Sequence, residues 1–114
     1  MSDHNLGAVG FDPLEVERLA KERLIDVRVK PLDDIYGFGL DSDDVCDWLS
    51  EFSAHIARRD CAFIKSKPTE KYPPDTLSYY YQAYVAPCRT NIFLKFAVYQ
   101  GLLVITSFKE FSND

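Results

Sequence analysis

The sequence predicts an α+β fold in which N-terminal helices pack on a C-terminal antiparallel β-sheet, forming a two-layer sandwich. Three observations carry this. Apolar residues recur at helical spacing through the first half, at Leu14, Val16, Leu19, Ala20 and Leu24 and again at Val45, Trp48, Leu49 and Phe52. Beyond a stretch holding Pro68, Pro73 and Pro74 the period falls to two. The chain's 114 residues can enclose one hydrophobic core and not two, so both patterns belong to a single domain over residues 1–114.

Residues 1–10 are polar and Gly-containing, an end expected to fray. Asp12 is a helix cap and Pro13 suits the first helical position, while Glu15 and Glu17 favour the positive end of the helix dipole. This helix is expected over 12–24. Ile25–Val29 alternates and reads as a short edge strand. Pro31 opens a helical turn through Tyr36, which Gly37 and Gly39 end. Leu40–Asp44 supplies caps for a second clear helix, whose apolar face includes Trp48 as a core residue. His55 follows it and reads as a surface residue rather than a catalytic base. Arg58 and Arg59 lead into Cys61–Ile64 and Lys65-Ser-Lys67, where Lys65 is readable as the cationic end of a helix. Pro68–Thr76 reads as a surface loop beside a site. Ser78–Val85, Ile92–Val98 and Leu102–Phe108 are then three strands of a meander. Turns at Pro87–Arg89 and Gln100-Gly101 separate them.

The last hairpin admits two registers. A two-residue loop pairs Tyr99 with Leu102 and puts Ile92, Leu94, Phe96 and Val98 on the face of Ser107 and Lys109. A three-residue loop or a bulge shifts the parity, so that the same four residues share a face with Leu102, Val104, Thr106 and Phe108. The second arrangement separates apolar from polar better, and register follows that separation. It gives a core face under the helices. The opposite face carries Phe93, Lys95, Ala97, Leu103, Ile105, Ser107 and Lys109 and is polar at one end.

The formal net charge of −5 argues against a generic nucleic-acid binder, but the charge is unevenly spread. Residues 1–55 hold 5 Lys or Arg against 13 Asp or Glu, and residues 56–114 hold 8 against 5. The basic half also holds 11 of the 16 aromatics. An anionic ligand on that half is one reading, and a plainly solvated set of acidic helices is the other. Lysines beside aromatics on a sheet face suit a phosphodiester backbone and unstacked bases. Cys46, Cys61 and Cys88 form no C-x-x-C pair, and His4 and His55 fit no ligand spacing, so neither a disulfide framework nor a zinc site is expected. Reduced thiols in a cytoplasmic protein without cofactor or metal are the expectation. No apolar run reaches the roughly 18 residues of a membrane span, and no signal peptide is recognisable.

Five segments occur in a telling order: Gly39-Leu-Asp-Ser-Asp-Asp-Val-Cys46, Phe63-Ile-Lys-Ser66, Tyr81-Gln-Ala-Tyr84, Ile92-Phe-Leu-Lys95 and Ser107-Phe-Lys-Glu110. As an ordered set over residues 14–111 they resemble the MqsR family of bacterial toxins. That resemblance implies a RelE-like α+β fold and an mRNA interferase activity. Members are endoribonucleases that cut single-stranded message, often at GC-containing triplets, and each is neutralised by a cognate antitoxin. The family's catalytic residues fall on Lys65, Gln82 and Lys109. Its catalytic tyrosine falls on Phe93, which lacks the hydroxyl, and Ala83 stands where the family usually has Asp. The last hairpin is one residue longer than in the type member, in line with the chosen parity.

The implied chemistry is attack of a ribose 2′-OH on the adjacent phosphorus with departure of the 5′-oxygen. Lys109 and Lys65 would supply cationic donors at the phosphate. One of them would serve as general acid or base if burial and its like-charged neighbour lowered its pKa. Gln82 would orient the substrate, and Phe93, Lys95, Tyr81 and Tyr84 would contact it, with Tyr81 or Tyr84 taking over the missing hydroxyl. The alternative is a catalytically silent RNA- or antitoxin-binding protein on the same fold. The absent hydroxyl and the acidic net charge speak for it. If the protein is such a toxin, the acidic helices, with Asp43, Asp44 and Asp47, could steer away non-cognate nucleic acid or dock a basic antitoxin segment.

Overall fold

The computed structural model describes residues 10–69 and 76–112. Its elements run α1 (Pro13–Lys21), β1 (Ile25–Val27), α2 (Val29–Gly37), α3 (Ser42–Leu49), α4 (Phe52–Ala57), β2 (Cys61–Pro68), β3 (Leu77–Val85), β4 (Thr90–Tyr99) and β5 (Leu102–Glu110), with a 3-10 turn at Ala86–Cys88. The strands form one sheet in the order β1-β5-β4-β3-β2. The α+β class and the packing of helices on a sheet are as the sequence predicts. The sheet is mixed rather than wholly antiparallel, because β1 lies parallel to β5.

Helix ends follow local chemistry. The Asp12 carboxylate accepts the Leu14 N–H at 3.0 Å and starts α1. The helix stops three residues short of the expected Leu24. Arg23 takes a left-handed φ of 59°, and the Leu24 and Arg23 N–H groups fold back onto Leu19 and Ala20 carbonyls. No glycine marks that stop. The same device closes α4 at Arg59, with φ 66°. Asp41 and Asp44 form a reciprocal capping box that opens α3. The expected single helix through Phe52 is two. Ser50 turns its hydroxyl onto the Cys46 carbonyl at 2.8 Å, and α4 starts afresh at Phe52. Glu17 of α1 supplies the cap that α4 lacks, accepting the Ser53 N–H at 2.7 Å and also the Ser53 hydroxyl.

The β4–β5 hairpin resolves the register question in an unexpected way. Its loop has two residues, with Gln100 and Gly101 at φ 53° and 76°, and Tyr99 faces Leu102. The three-residue loop is therefore corrected. The parity change comes instead from a bulge midway along the ladder. Phe96 faces Ile105, but Lys95 faces Ser107, so Thr106 is the extra residue. On the turn side of the bulge, Leu103 and Ile105 join the core face, not the outer face expected for them. Beyond it, Phe108 joins the core while Ser107 and Lys109 stay outside.

One core unites the layers. Val16, Leu19, Ile35, Val45, Leu49 and Phe52 from the helices meet Tyr81, Ile92, Leu94, Phe96, Ile105 and Phe108 from the sheet. Phe96 is its aromatic centre, stacked on Tyr81 at 5.5 Å and edge-on to Phe52 at 6.2 Å. No described helix is long and apolar enough to cross a membrane.

Candidate nucleic-acid interface

The sheet face opposite the core is organised in cross-strand rows. Alternation along a strand sends every second side chain there, and pairing across strands aligns those side chains. One row is Ala62, Gln82, Phe93 and Lys109, on β2, β3, β4 and β5. The next is Lys65, Tyr80, Lys95 and Ser107. A bulge at Ile64 in β2 keeps Lys65 on this face after Phe63 has turned to the core. Lys65 thus lies within a strand, not at the end of a helix.

Five residues expected at the site, Lys65, Gln82, Phe93, Lys95 and Lys109, therefore lie in two adjacent rows. Tyr84 shares the face, further along β3 opposite Asn91, and is 43% exposed. Tyr81 does not. It is 1% exposed on the core side, and its hydroxyl accepts the Phe11 N–H at 3.0 Å. Burial pushes its phenol pKa well up. A substrate-contacting role for Tyr81 is thereby corrected. An odd and an even position of one regular strand point to opposite faces, so Tyr81 and Tyr84 could never have served together.

Tyr80 and Phe111 are not among the residues that the sequence singles out. Tyr80 is central. The Lys65 and Lys95 ammonium groups lie 5.2 and 5.3 Å from its ring centre, and the Phe93 ring lies 5.7 Å away. The Lys109 ammonium lies 5.8 Å from the Phe93 ring centre, and Phe111 continues the aromatic line at 6.3 Å from Phe93. Cation–π contacts at such exposed positions contribute about 0.5–1 kcal/mol each. Phe93, Lys109, Glu110, Phe111 and Ser112 line a shallow cleft of about 340 Å³ at this end of the face. The parity of β3, fixed by requiring Gln82 to face outward, was the signal that would have found Tyr80.

The two rows hold three lysines and no carboxylate. By contrast, while Asp26 stands on β1 opposite Val104, Glu15, Glu17, Asp33, Asp34, Asp43, Asp44 and Asp47 ride on the helices behind the sheet. Arg23 pairs there with Asp47 at 3.1 Å and with Asp43 at 3.8 Å. Asp26 apart, the charge split along the sequence thus becomes a split between layers. A net acidic chain presents one locally cationic, aromatic face.

Other candidate groups fall away from that face. His55 is buried, not a surface residue. It stacks on Trp48 at 4.2 Å, bonds the Trp48 carbonyl through Nε2 at 2.9 Å, and meets the Arg58 guanidinium through Nδ1 at 3.0 Å. A carbonyl only accepts and a guanidinium only donates, so the ring is the neutral tautomer with its proton on Nε2. It lines a second cleft of about 320 Å³ on the helix side, between Trp48, Val85, Pro87 and Phe108 and beneath Asp44, Asp47 and Glu51. The three cysteines are free thiols. Burial pushes the Cys61 thiol up to about 12 and raises Cys46 and Cys88, so none is an activated nucleophile. Among the described residues no His, Cys, Asp and Glu side chains converge as a metal site.

The chain matches no protein-family model and no curated protein. The face itself therefore carries the functional argument. It can bind an extended polyanion through lysines and stack flat rings on Tyr80, Phe93 and Phe111.

Proposed function

We propose that this protein is a cytoplasmic toxin endoribonuclease of the MqsR type that cleaves single-stranded mRNA and is neutralised by a cognate antitoxin. The observation that carries the reading is the meeting of Lys65, Gln82, Phe93 and Lys109 on the outer face of the sheet. Those residues are scattered over 45 positions of sequence, and they are the set to which the family resemblance points.

The reaction is an internal transesterification. The 2′-oxygen of a ribose bonds to the adjacent phosphorus while the bond to the 5′-oxygen breaks, leaving a 2′,3′-cyclic phosphate and a 5′-hydroxyl. Lys109 and Lys65 are exposed ammonium donors that offset the charge gathering on the non-bridging oxygens. Gln82, between them in the rows, holds the substrate by neutral hydrogen bonds. Phe93 stacks on a base, and Lys95 extends the cationic track along the backbone. Holding the 2′-oxygen in line with the leaving oxygen is itself a large part of the rate gain. An antitoxin with a basic, partly apolar segment fits the cleft beneath Asp44, Asp47 and Glu51 on the opposite layer.

A silent RNA-binding protein on the same fold is the second reading. Phe93 favours it, because the ring stacks but carries no proton. Product chemistry separates the two. Incubation of a long single-stranded RNA with the protein and EDTA is expected to yield 2′,3′-cyclic phosphate and 5′-hydroxyl ends, and a 2′-deoxy substitution at the cut site should abolish that cut. Retarded but intact RNA would select the silent binder.

A further inference from the structure

We infer that Tyr80 is the general acid of this site, delivering a proton to the departing 5′-oxygen. The inference rests on the ribonuclease reading. It starts from the groups on the face other than Lys65, Lys95 and Lys109, whose ammonium groups are assigned to the phosphate. Gln82 holds a fixed amide that neither gives up nor takes a proton in this range. Phe93 has none to give. His55 lies in the other layer, engaged at both ring nitrogens. Tyr84 sits at the far end, opposite Asn91. Tyr80 occupies the centre, half-buried. It is also the phenol around which the cations gather, with Lys65 and Lys95 both against its ring and Phe93 beside it.

That setting suits an acid. As the bond from phosphorus to the 5′-oxygen breaks, Tyr80 Oη passes its proton to that oxygen and becomes a phenolate. The two flanking ammonium groups stabilise the new negative charge. The 2′-hydroxyl proton leaves to water as the 2′-oxygen bonds to phosphorus, and the phenolate regains a proton from water. The products are a cyclic phosphate and a 5′-hydroxyl, with no net proton consumed. Lys65 and Lys95 then have two roles each, holding the RNA backbone and steadying the conjugate base. Phe93 is relieved of the need for a hydroxyl.

The test uses Tyr80→Phe, which keeps the ring and its contacts with both lysines, and two RNAs. One is ordinary and the other carries sulfur in place of the bridging 5′-oxygen at a mapped cut site. A thiolate leaves without protonation. Tyr80→Phe is expected to cleave the ordinary RNA at least about 100-fold more slowly, to cleave the sulfur-bridged RNA within about threefold of wild type, and to bind a 2′-O-methyl strand within about twofold of wild type. Restoration of part of the lost rate in Tyr80→Phe with Phe93→Tyr would support the same role. Wild-type speed on the ordinary RNA, or an equal loss on both RNAs, overturns it. If the wild type cleaves neither RNA, the ribonuclease reading fails first and this inference falls with it.

Discussion

Lys109 on β5 faces Phe93 on β4, with its ammonium 5.8 Å from the centre of the Phe93 ring. One extra residue makes that pair. In the register kept near the turn, Phe93 would face Phe108, and Lys109 would point into the core. The bulge at Thr106 shifts the ladder by one and returns Lys109 to the outer face. Deleting Thr106 should therefore close the bulge and leave Lys95 facing Ser107 and Phe93 facing Lys109 in an unbroken ladder. The fold should survive, with a change in stability of no more than about 2 kcal/mol. Circular dichroism with thermal unfolding checks it, and an unfolded deletion variant would contradict the register.

The lysines of the two rows should act as a set of phosphate contacts. Lys65→Ala, Lys95→Ala and Lys109→Ala are each expected to weaken binding to a single-stranded RNA. Each should also lower the slope of log affinity against log salt by about 0.7. Asp33→Lys, on the helix layer, should leave that slope near its wild-type value. Fluorescence anisotropy over a salt series reads both.

Tyr81 and Tyr80 are neighbours in sequence and opposites in role. Tyr81→Phe removes the acceptor for the Phe11 N–H and should cost about 1 kcal/mol of stability, or roughly 4 °C in Tm. RNA affinity should be unchanged. Thermal unfolding beside RNA titration makes the comparison. A Tyr81→Phe variant of full stability but weakened RNA binding would contradict the assignment of its ring to the core.

These contrasts mark how far the sequence was legible. Periodicity located the helices and the meander, and it placed Phe93, Lys95 and Lys109 on one outer face before any coordinates. It did not assign a strand to Cys61–Pro68. The segment's alternation is broken at Ile64, and its Lys65, Lys67 and Pro68 are the polar residues of an exposed edge. The end of the first helix was misjudged where Arg23 adopts a left-handed conformation, since only glycine signals that in sequence. His55 looked like surface because its burial depends on Trp48 and Arg58 closing over it. Tyr80 was missed because its importance lies in what stands on either side of it across strands.

Glu17 gives a pH dependence with a definite sign. The Ser53 hydroxyl and N–H hold its carboxyl below the ordinary value of 4.5. A group whose pKa is lower folded than unfolded contributes stability above its unfolded pKa and loses it as pH falls through the folded value. Glu17→Gln should therefore flatten the loss of stability below pH about 4.5. Glu17→Ala should cost about 1 kcal/mol at neutral pH by uncapping α4. Urea unfolding from pH 7 to pH 3 checks both, and parallel curves for wild type and Glu17→Gln would contradict the role given to this carboxylate.

The claim at the centre of this account is that the outer face of the sheet cleaves RNA. The most direct measurement sets the wild-type protein beside Lys109→Ala, with a long single-stranded RNA and EDTA, and follows the fragments in time. The account predicts defined fragments with the wild type and a loss of at least about 100-fold in rate with Lys109→Ala, both proteins being equally folded. Equal cleavage by the two, or intact RNA with a folded wild type, would contradict it.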